Sequence, residues 1–169
     1  VLERREPAGI ALTRQNIPVF ERGADTASGD ELAAAHHASK GAYVLAEAAN
    51  GEPDVILIAT GSEVSVALEA RSQLAAEGIR ARVVSAPCLE WFEQQPAEYR
   101  ESVLPRAMTA RVSIEAGIAL TWHRYIGDRG RAVSIEHFGA SADYQTLFRE
   151  FGITAEATVA AARESISAS

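Results

Sequence analysis

The sequence predicts an α/β fold, a three-layer sandwich around a mostly parallel sheet of about five strands. Three observations carry that expectation. Asp54 to Ala59 (Asp-Val-Ile-Leu-Ile-Ala) is a continuous apolar run of strand length with β-branched residues, the form of a strand buried on both faces. From about Ser39 onward, strand-like runs alternate with amphipathic segments, as in strand–helix units wound over a parallel sheet. The chain has 169 residues, 47% of them hydrophobic, enough for one sizeable core.

The elements follow in order. Val1 to Glu6 is charged and helix-like, Pro7 and Gly9 interrupt it, and Ile10-Ala11-Leu12 reads as one short strand. After Thr13-Arg14-Gln15-Asn16-Ile17-Pro18, residues 21 to 41 are rich in Gly, Ala, Ser and Asp and read as a linker, partly helical around Glu31 to His36. Gly41 to Glu47 is a first strand of the main block, and Asp54 to Ala59 a second. Thr60-Gly61-Ser62-Glu63 turns the chain into a helix whose Val64, Ala67, Leu68, Leu74 and Ala75 recur at helical spacing up to Gly78, a C-terminal stop. Ile79 to Ala86 is a strand closed by Pro87, and Ala97 to Val103 a short helix ending before Pro105. Ala110 to Glu115 is a strand, Ala119 to Tyr125 a helix, and Ala132 to Ile135 a strand. Helices over Tyr144 to Glu150 and Ala155 to Ser165 complete the chain, with no internal repeat or low-complexity tract.

Composition excludes several classes of function. Sixteen Lys and Arg against 23 Asp and Glu give a formal charge of −7 without any basic stripe, which argues against nucleic acid or an anionic membrane as a partner. The longest apolar stretches fall far short of the roughly 18–20 residues that cross a bilayer. Val1 to Glu6 lacks the apolar core of a signal peptide, and the single Cys88 cannot form an intramolecular disulfide, so a reducing cytoplasmic location is expected. The only methionine is Met108, and the chain is expected to be a piece of a longer protein.

Five groups of residues invite a chemical reading. Thr60 to Glu63 lies where open α/β sheets place ligands, at a strand's carboxyl end and a helix's start. The spacing of Thr60 and Glu63 is also that of a capping box, which would satisfy the helix N–H groups internally, and a carboxylate there would repel a phosphate. The local cap is therefore preferred to a ligand site. Glu115 closes another strand at the same kind of edge and can orient a partner or cap the next helix. His36, His37, His123 and His137 lack metal-ligand spacing; the first two are expected to face water and His123 to pack or cap. Cys88, among Ala86, Leu89 and Trp91, reads as a small core residue. Arg14, at a strand end with Pro18 fixing the exit, is divided between a phosphate anchor and a surface ion pair.

Several strings in order carry a family resemblance: Leu12-Thr13-Arg14-Gln15-Asn16-Ile17-Pro18, Lys40-Gly41-Ala42-Tyr43-Val44-Leu45, Pro53 to Val64, Pro96 to Pro105, His137-Phe138-Gly139-Ala140-Ser141 and Phe148 to Thr154. Together they resemble the C-terminal part of a transketolase. The resemblance implies a three-domain, homodimeric enzyme dependent on thiamine diphosphate and Mg²⁺ or Ca²⁺. Such an enzyme moves a two-carbon ketol unit from a ketose phosphate to an aldose phosphate in the pentose phosphate pathway. It further implies that residues 1–20 are the tail of the pyrimidine-binding middle domain, 21–38 an inter-domain linker and 39–169 the C-terminal domain. Only Arg14, in the Thr-Arg-Gln string, matches a family substrate contact, helping to hold the sugar phosphate. No catalytic, cofactor-binding or metal-binding residue is expected in this chain, which should serve structure and dimerisation and be inactive alone. Two other readings compete. One is the last domain of a related thiamine enzyme, a deoxyxylulose-phosphate synthase or a 2-oxo-acid dehydrogenase β chain. The other is a free-standing Rossmann-like module binding an anion or partner at Thr60 to Glu63.

Overall fold

The computed structural model describes residues 7, 9–23, 27, 31–49 and 51–169. Its sheet is built around β2 (Val55–Ala59), of which every residue is buried. β2 pairs in parallel with β3 (Ala81–Ser85) on one side and with β4 (Arg111–Ile114) on the other. β5 (Arg131–Val133) lies parallel to β4, and β1 (Tyr43–Ala46) runs antiparallel on the outer side of β3. The order is thus β1-β3-β2-β4-β5, five strands of which one edge strand alone is antiparallel.

Alternation along the strands divides the core in two. Val55, Leu57 and Ala59 point to one face, where they meet Ala67, Ala70 and Leu74 of α1 (Glu63–Ala76) and Val159 and Ala162 of α6 (Ala155–Ser167). Ile56 and Ile58 point to the other face. There they meet Phe92 of α2 (Leu89–Glu93), Val103 of α3 (Ala97–Val103), and Tyr125 and Ile126 of α4 (His123–Ile126). A strand with helices on both sides must be apolar at every position, which is why β2 reads as an unbroken hydrophobic run. The fully buried Ala67, Ala70 and Ala162 supply small side chains where α1 and α6 pack together on the sheet.

Helix ends follow their local chemistry. Gly78 adopts φ 79° after α1, and the N–H of Ile79 returns to the Leu74 carbonyl, the closure expected of a glycine stop. Asp143 caps α5 (Tyr144–Glu150) by accepting the Thr146 N–H at 2.9 Å, and Thr154 caps α6 through the Ala157 N–H at 3.2 Å. Gly41 has φ 87°, and a Cβ there would overlap the Cys88 carbonyl and the Phe92 nitrogen, so the approach of α2 to β1 requires glycine.

Several expectations are corrected. Ile10, Ala11 and Leu12 form no strand: the segment is irregular, with Ile10 75% and Leu12 82% exposed. Three apolar residues cannot hold a strand without a partner, and the sheet edges are β1 and β5 instead. The helix expected over residues 1–6 lies outside the described residues. The helical turn of the linker sits at Ala35–Lys40 rather than around Glu31 to His36. Ahead of it, Ala33 is buried and its N–H donates to the Leu45 carbonyl at 2.9 Å, so the chain docks on β1 before it turns. The helix expected over Ala119 to Tyr125 divides into a 3-10 turn, Ala119–Thr121, and α4. The division falls at Trp122, which is buried, while the Ala119 N–H is taken by the Glu136 carboxylate at 2.8 Å. Cys88 is half-buried at the head of α2 rather than in the core, and His123 is exposed rather than packed. Among the described residues, no helix is long and apolar enough to cross a membrane.

Candidate functional site

The strand order creates one special crevice. From β2 the chain passes to β3 on one side, then crosses back to β4 on the other, so the connections diverge above the carboxyl ends of β2 and β4. Open α/β sheets offer a ligand-sized gap at such a point. The residues there are Thr60 to Glu63, after β2, and Glu115 to Gly117, after β4.

Gly61, at φ 57°, lets the chain turn sharply out of β2 into α1. The capping box expected of Thr60 and Glu63 is absent. Ser62, at the N-cap of α1, makes no side-chain cap among the described residues, and the Thr60 contribution is its backbone carbonyl, which accepts the Glu63 N–H at 3.2 Å. The Glu63 carboxylate, only 5% exposed, reaches across the crevice instead: Oε1 accepts the Ala116 N–H at 3.0 Å and Oε2 accepts the Ser62 hydroxyl at 2.9 Å. A buried carboxylate needs such donors, and the loop after β4 supplies one in the Ala116 N–H. Glu63 therefore fastens two connections 53 residues apart.

Glu115 stands beside that clamp. Burial, reinforced by the negative charge of Glu63, pushes its carboxyl up to about 7. Its own N–H donates to the Val133 carbonyl at 3.0 Å, continuing the β4–β5 ladder. Beside it opens a cleft of about 390 Å³ lined by Thr60, Cys88, Glu90, Glu115 and Trp122, within the usual span of small-molecule sites. The Cys88 thiol donates to Glu90 Oε2 at 3.6 Å. With Glu63, Glu90 and Glu115 together, the crevice disfavours phosphate and diphosphate groups. What it can do is exchange a proton at Glu115 near neutral pH.

The other sequence candidates lie elsewhere. Arg14 is exposed on the irregular segment, and its side chain meets no hydrogen-bond or ion-pair partner among the described residues. His37 stacks on Tyr43 with ring centroids 5.9 Å apart and is half-buried, while His36 is exposed. The His137 ring meets Phe151 edge-on at 4.7 Å. None of the four histidines lines the cleft, and among the described residues no three His, Cys, Asp or Glu side chains gather as a metal site. Sequence reading missed Glu90, which belongs to a helix too short to show a period, and Arg111, a cation at the first position of β4. An arginine opening a strand whose other residues are all buried was the available signal for the latter.

Comparison with known proteins bears on the whole arrangement. Residues 41–154 match the family described as the transketolase-like TK C-terminal domain. The transketolase of Mycobacterium leprae is 55% identical over 161 residues, covering 94% of this chain and 22% of its own length. Among solved structures, a Pichia stipitis transketolase in complex with sedoheptulose 7-phosphate superposes with TM-score 0.71 at 33% identity, over 84% of this chain and 20% of that one. A split-gene transketolase, described as an inactive beta4 tetramer, superposes with TM-score 0.58 at 25% identity, over 76% of this chain and 43% of that one. The chain spans about a fifth of the length of the curated relatives it matches. With the five-stranded order, the two helix layers and the match over residues 41–154, the chain belongs to the transketolase C-terminal domain family.

Proposed function

We propose that this chain is the C-terminal domain of a transketolase, a transferase that moves a two-carbon ketol unit between sugar phosphates. The carrying observation is the identity with transketolases over nearly all of this chain, confined to about a fifth of their length. In this reading residues 1–20 end the middle domain, 21–38 link the domains, and 39–169 form the third domain of a cytoplasmic homodimer. Thiamine diphosphate, held with Mg²⁺ or Ca²⁺ elsewhere in the whole enzyme, supplies the electron sink for the carbon–carbon bond change. The switch-point crevice does not fit that cofactor: it is acidic, and no metal-ligand cluster is present among the described residues. No step of the reaction is therefore assigned to this domain's sheet edge.

Arg14 is the one residue proposed to meet substrate. Its exposed guanidinium lacks a protein partner among the described residues, which supports a role in holding the sugar phosphate. Phosphate binding remote from the reacting carbon orients the sugar without entering the chemistry. In the full-length enzyme, Arg14→Gln should raise KM with kcat much less affected, read by a coupled assay with xylulose 5-phosphate and ribose 5-phosphate. An unchanged KM would remove Arg14 from the substrate site. The 169-residue chain alone should show neither turnover nor saturable calorimetric heat with thiamine diphosphate and Mg²⁺. Either would overturn the assignment of catalysis to the rest of the enzyme.

A further inference from the structure

On the face of the sheet opposite α1 and α6, a hollow of about 580 Å³ opens between α2, α3 and α4, a volume suited to a small metabolite. It adjoins a second hollow with which it shares Arg106, Arg111 and Arg124. Arg100 and Arg129 complete the lining cations, so five of the sixteen basic residues of a chain with charge −7 gather here.

Two of these guanidiniums are incompletely matched. Arg111 spreads its donors over main-chain carbonyls: Nε to Met108 at 2.8 Å, Nη2 to Pro105 at 2.7 Å and Leu104 at 3.2 Å, and Nη1 to Tyr125. None of these partners is a carboxylate, and burial lowers the arginine's pKa against a distant attraction from Glu101. A charge taken out of water is ordinarily paired with an opposite charge, and here only dipoles meet it. Arg100 donates through Nη1 to Glu93 at 3.1 Å, while its Nε is enclosed without a partner among the described residues. Glu93 also serves Arg124, at 2.8 Å, so a single carboxylate is shared between two guanidiniums.

We propose that this hollow binds a small phosphate monoester between Arg100, Arg111 and Arg124. The three guanidiniums come from α3, β4 and α4, and the terminal oxygens of a tetrahedral phosphate can accept from several directions where a planar carboxylate matches one fork. Glu93, Glu98, Glu101 and Asp128 also line the two hollows, leaving an excess of one positive charge. That balance admits a small anion and excludes an extended polyanion such as a nucleic-acid backbone.

The test is a titration of the 169-residue chain with inorganic phosphate, with citrate and with sodium chloride at matched ionic strength, followed by amide NMR shifts. Phosphate should give saturable shifts at residues 100, 111 and 124. Arg100→Gln and Arg124→Gln should each weaken binding about tenfold, the loss of one charge-assisted contact. Arg163→Gln, which breaks an ion pair with Glu77 at the end of α1, should leave it unchanged. Arg124 is 70% exposed at its side chain, so its variant should keep the fold if that of Arg100 does not. Shifts that chloride reproduces, tighter binding of citrate than of phosphate, or full affinity in the Arg124 variant would each overturn the proposal.

Discussion

At the scale of single residues, the crevice contrasts two carboxylates. Glu63 has two hydrogen-bond donors, whereas Glu115 is held near it by the backbone and pays for burial with a raised pKa. A carboxyl raised from 4.5 to about 7 binds its proton more tightly in the folded chain than in the unfolded one. Its contribution to stability is therefore full below pH 4.5, falls as pH rises, and is lost above about 7. Asp54, held low by Arg80, acts with the opposite sign and only at more acid pH, below its ordinary 3.8. Urea denaturation from pH 4.5 to 8 should show wild-type stability declining toward neutrality and a flatter profile for Glu115→Gln. Equal slopes would mean that Glu115 titrates as an ordinary surface acid. Both residues were visible in the sequence as strand-end carboxylates, yet their relation was not. The Thr60 to Glu63 spacing suggests a local cap, and a partner 53 residues away leaves no local pattern.

At the scale of elements, legibility tracks how far an element is determined by its own residues. β2 is buried throughout and announces itself by composition, and α3 is bounded by Pro96 and Pro105, so its limits agree with the sequence reading. The Ile10 to Leu12 run has strand composition but no ladder partner in this sheet, and composition alone cannot supply one. The break at Trp122 likewise depends on Glu136, 17 residues beyond Ala119. A pair of truncations separates these cases. Leu57→Ala, at a fully buried site facing α1 and α6, should cost about 2–5 kcal/mol in urea denaturation, from lost burial and the cavity left behind. Leu12→Ala, at 82% exposure, should change stability by less than about 0.5 kcal/mol. A comparable loss at Leu12 would mean that the opening segment packs against the domain in solution.

At the scale of the whole molecule, the exposed apolar side chains are unevenly placed. Ile118 and Leu120 follow β4, and Phe138, 98% exposed, follows β5. Those two connections lie side by side, since the Ile135 N–H donates to the Gly117 carbonyl at 2.9 Å. They leave the same carboxyl edge of the sheet that holds the crevice. Within a chain that spans a fifth of its relatives' length, such an edge fits proposed contact with the rest of the parent enzyme. The two settings give different consequences for Phe138→Ser. In the 169-residue chain the side chain has little burial to lose, so urea stability should change by less than about 0.5 kcal/mol. In the full-length enzyme the same substitution would place a hydroxyl against an apolar surface and remove the ring's burial, lowering the thermal midpoint. Calorimetric scans of the full-length wild type and variant decide the matter. An unchanged midpoint there would mean that Phe138 stays in water in the assembled enzyme too, and that the domain meets its neighbours by another face.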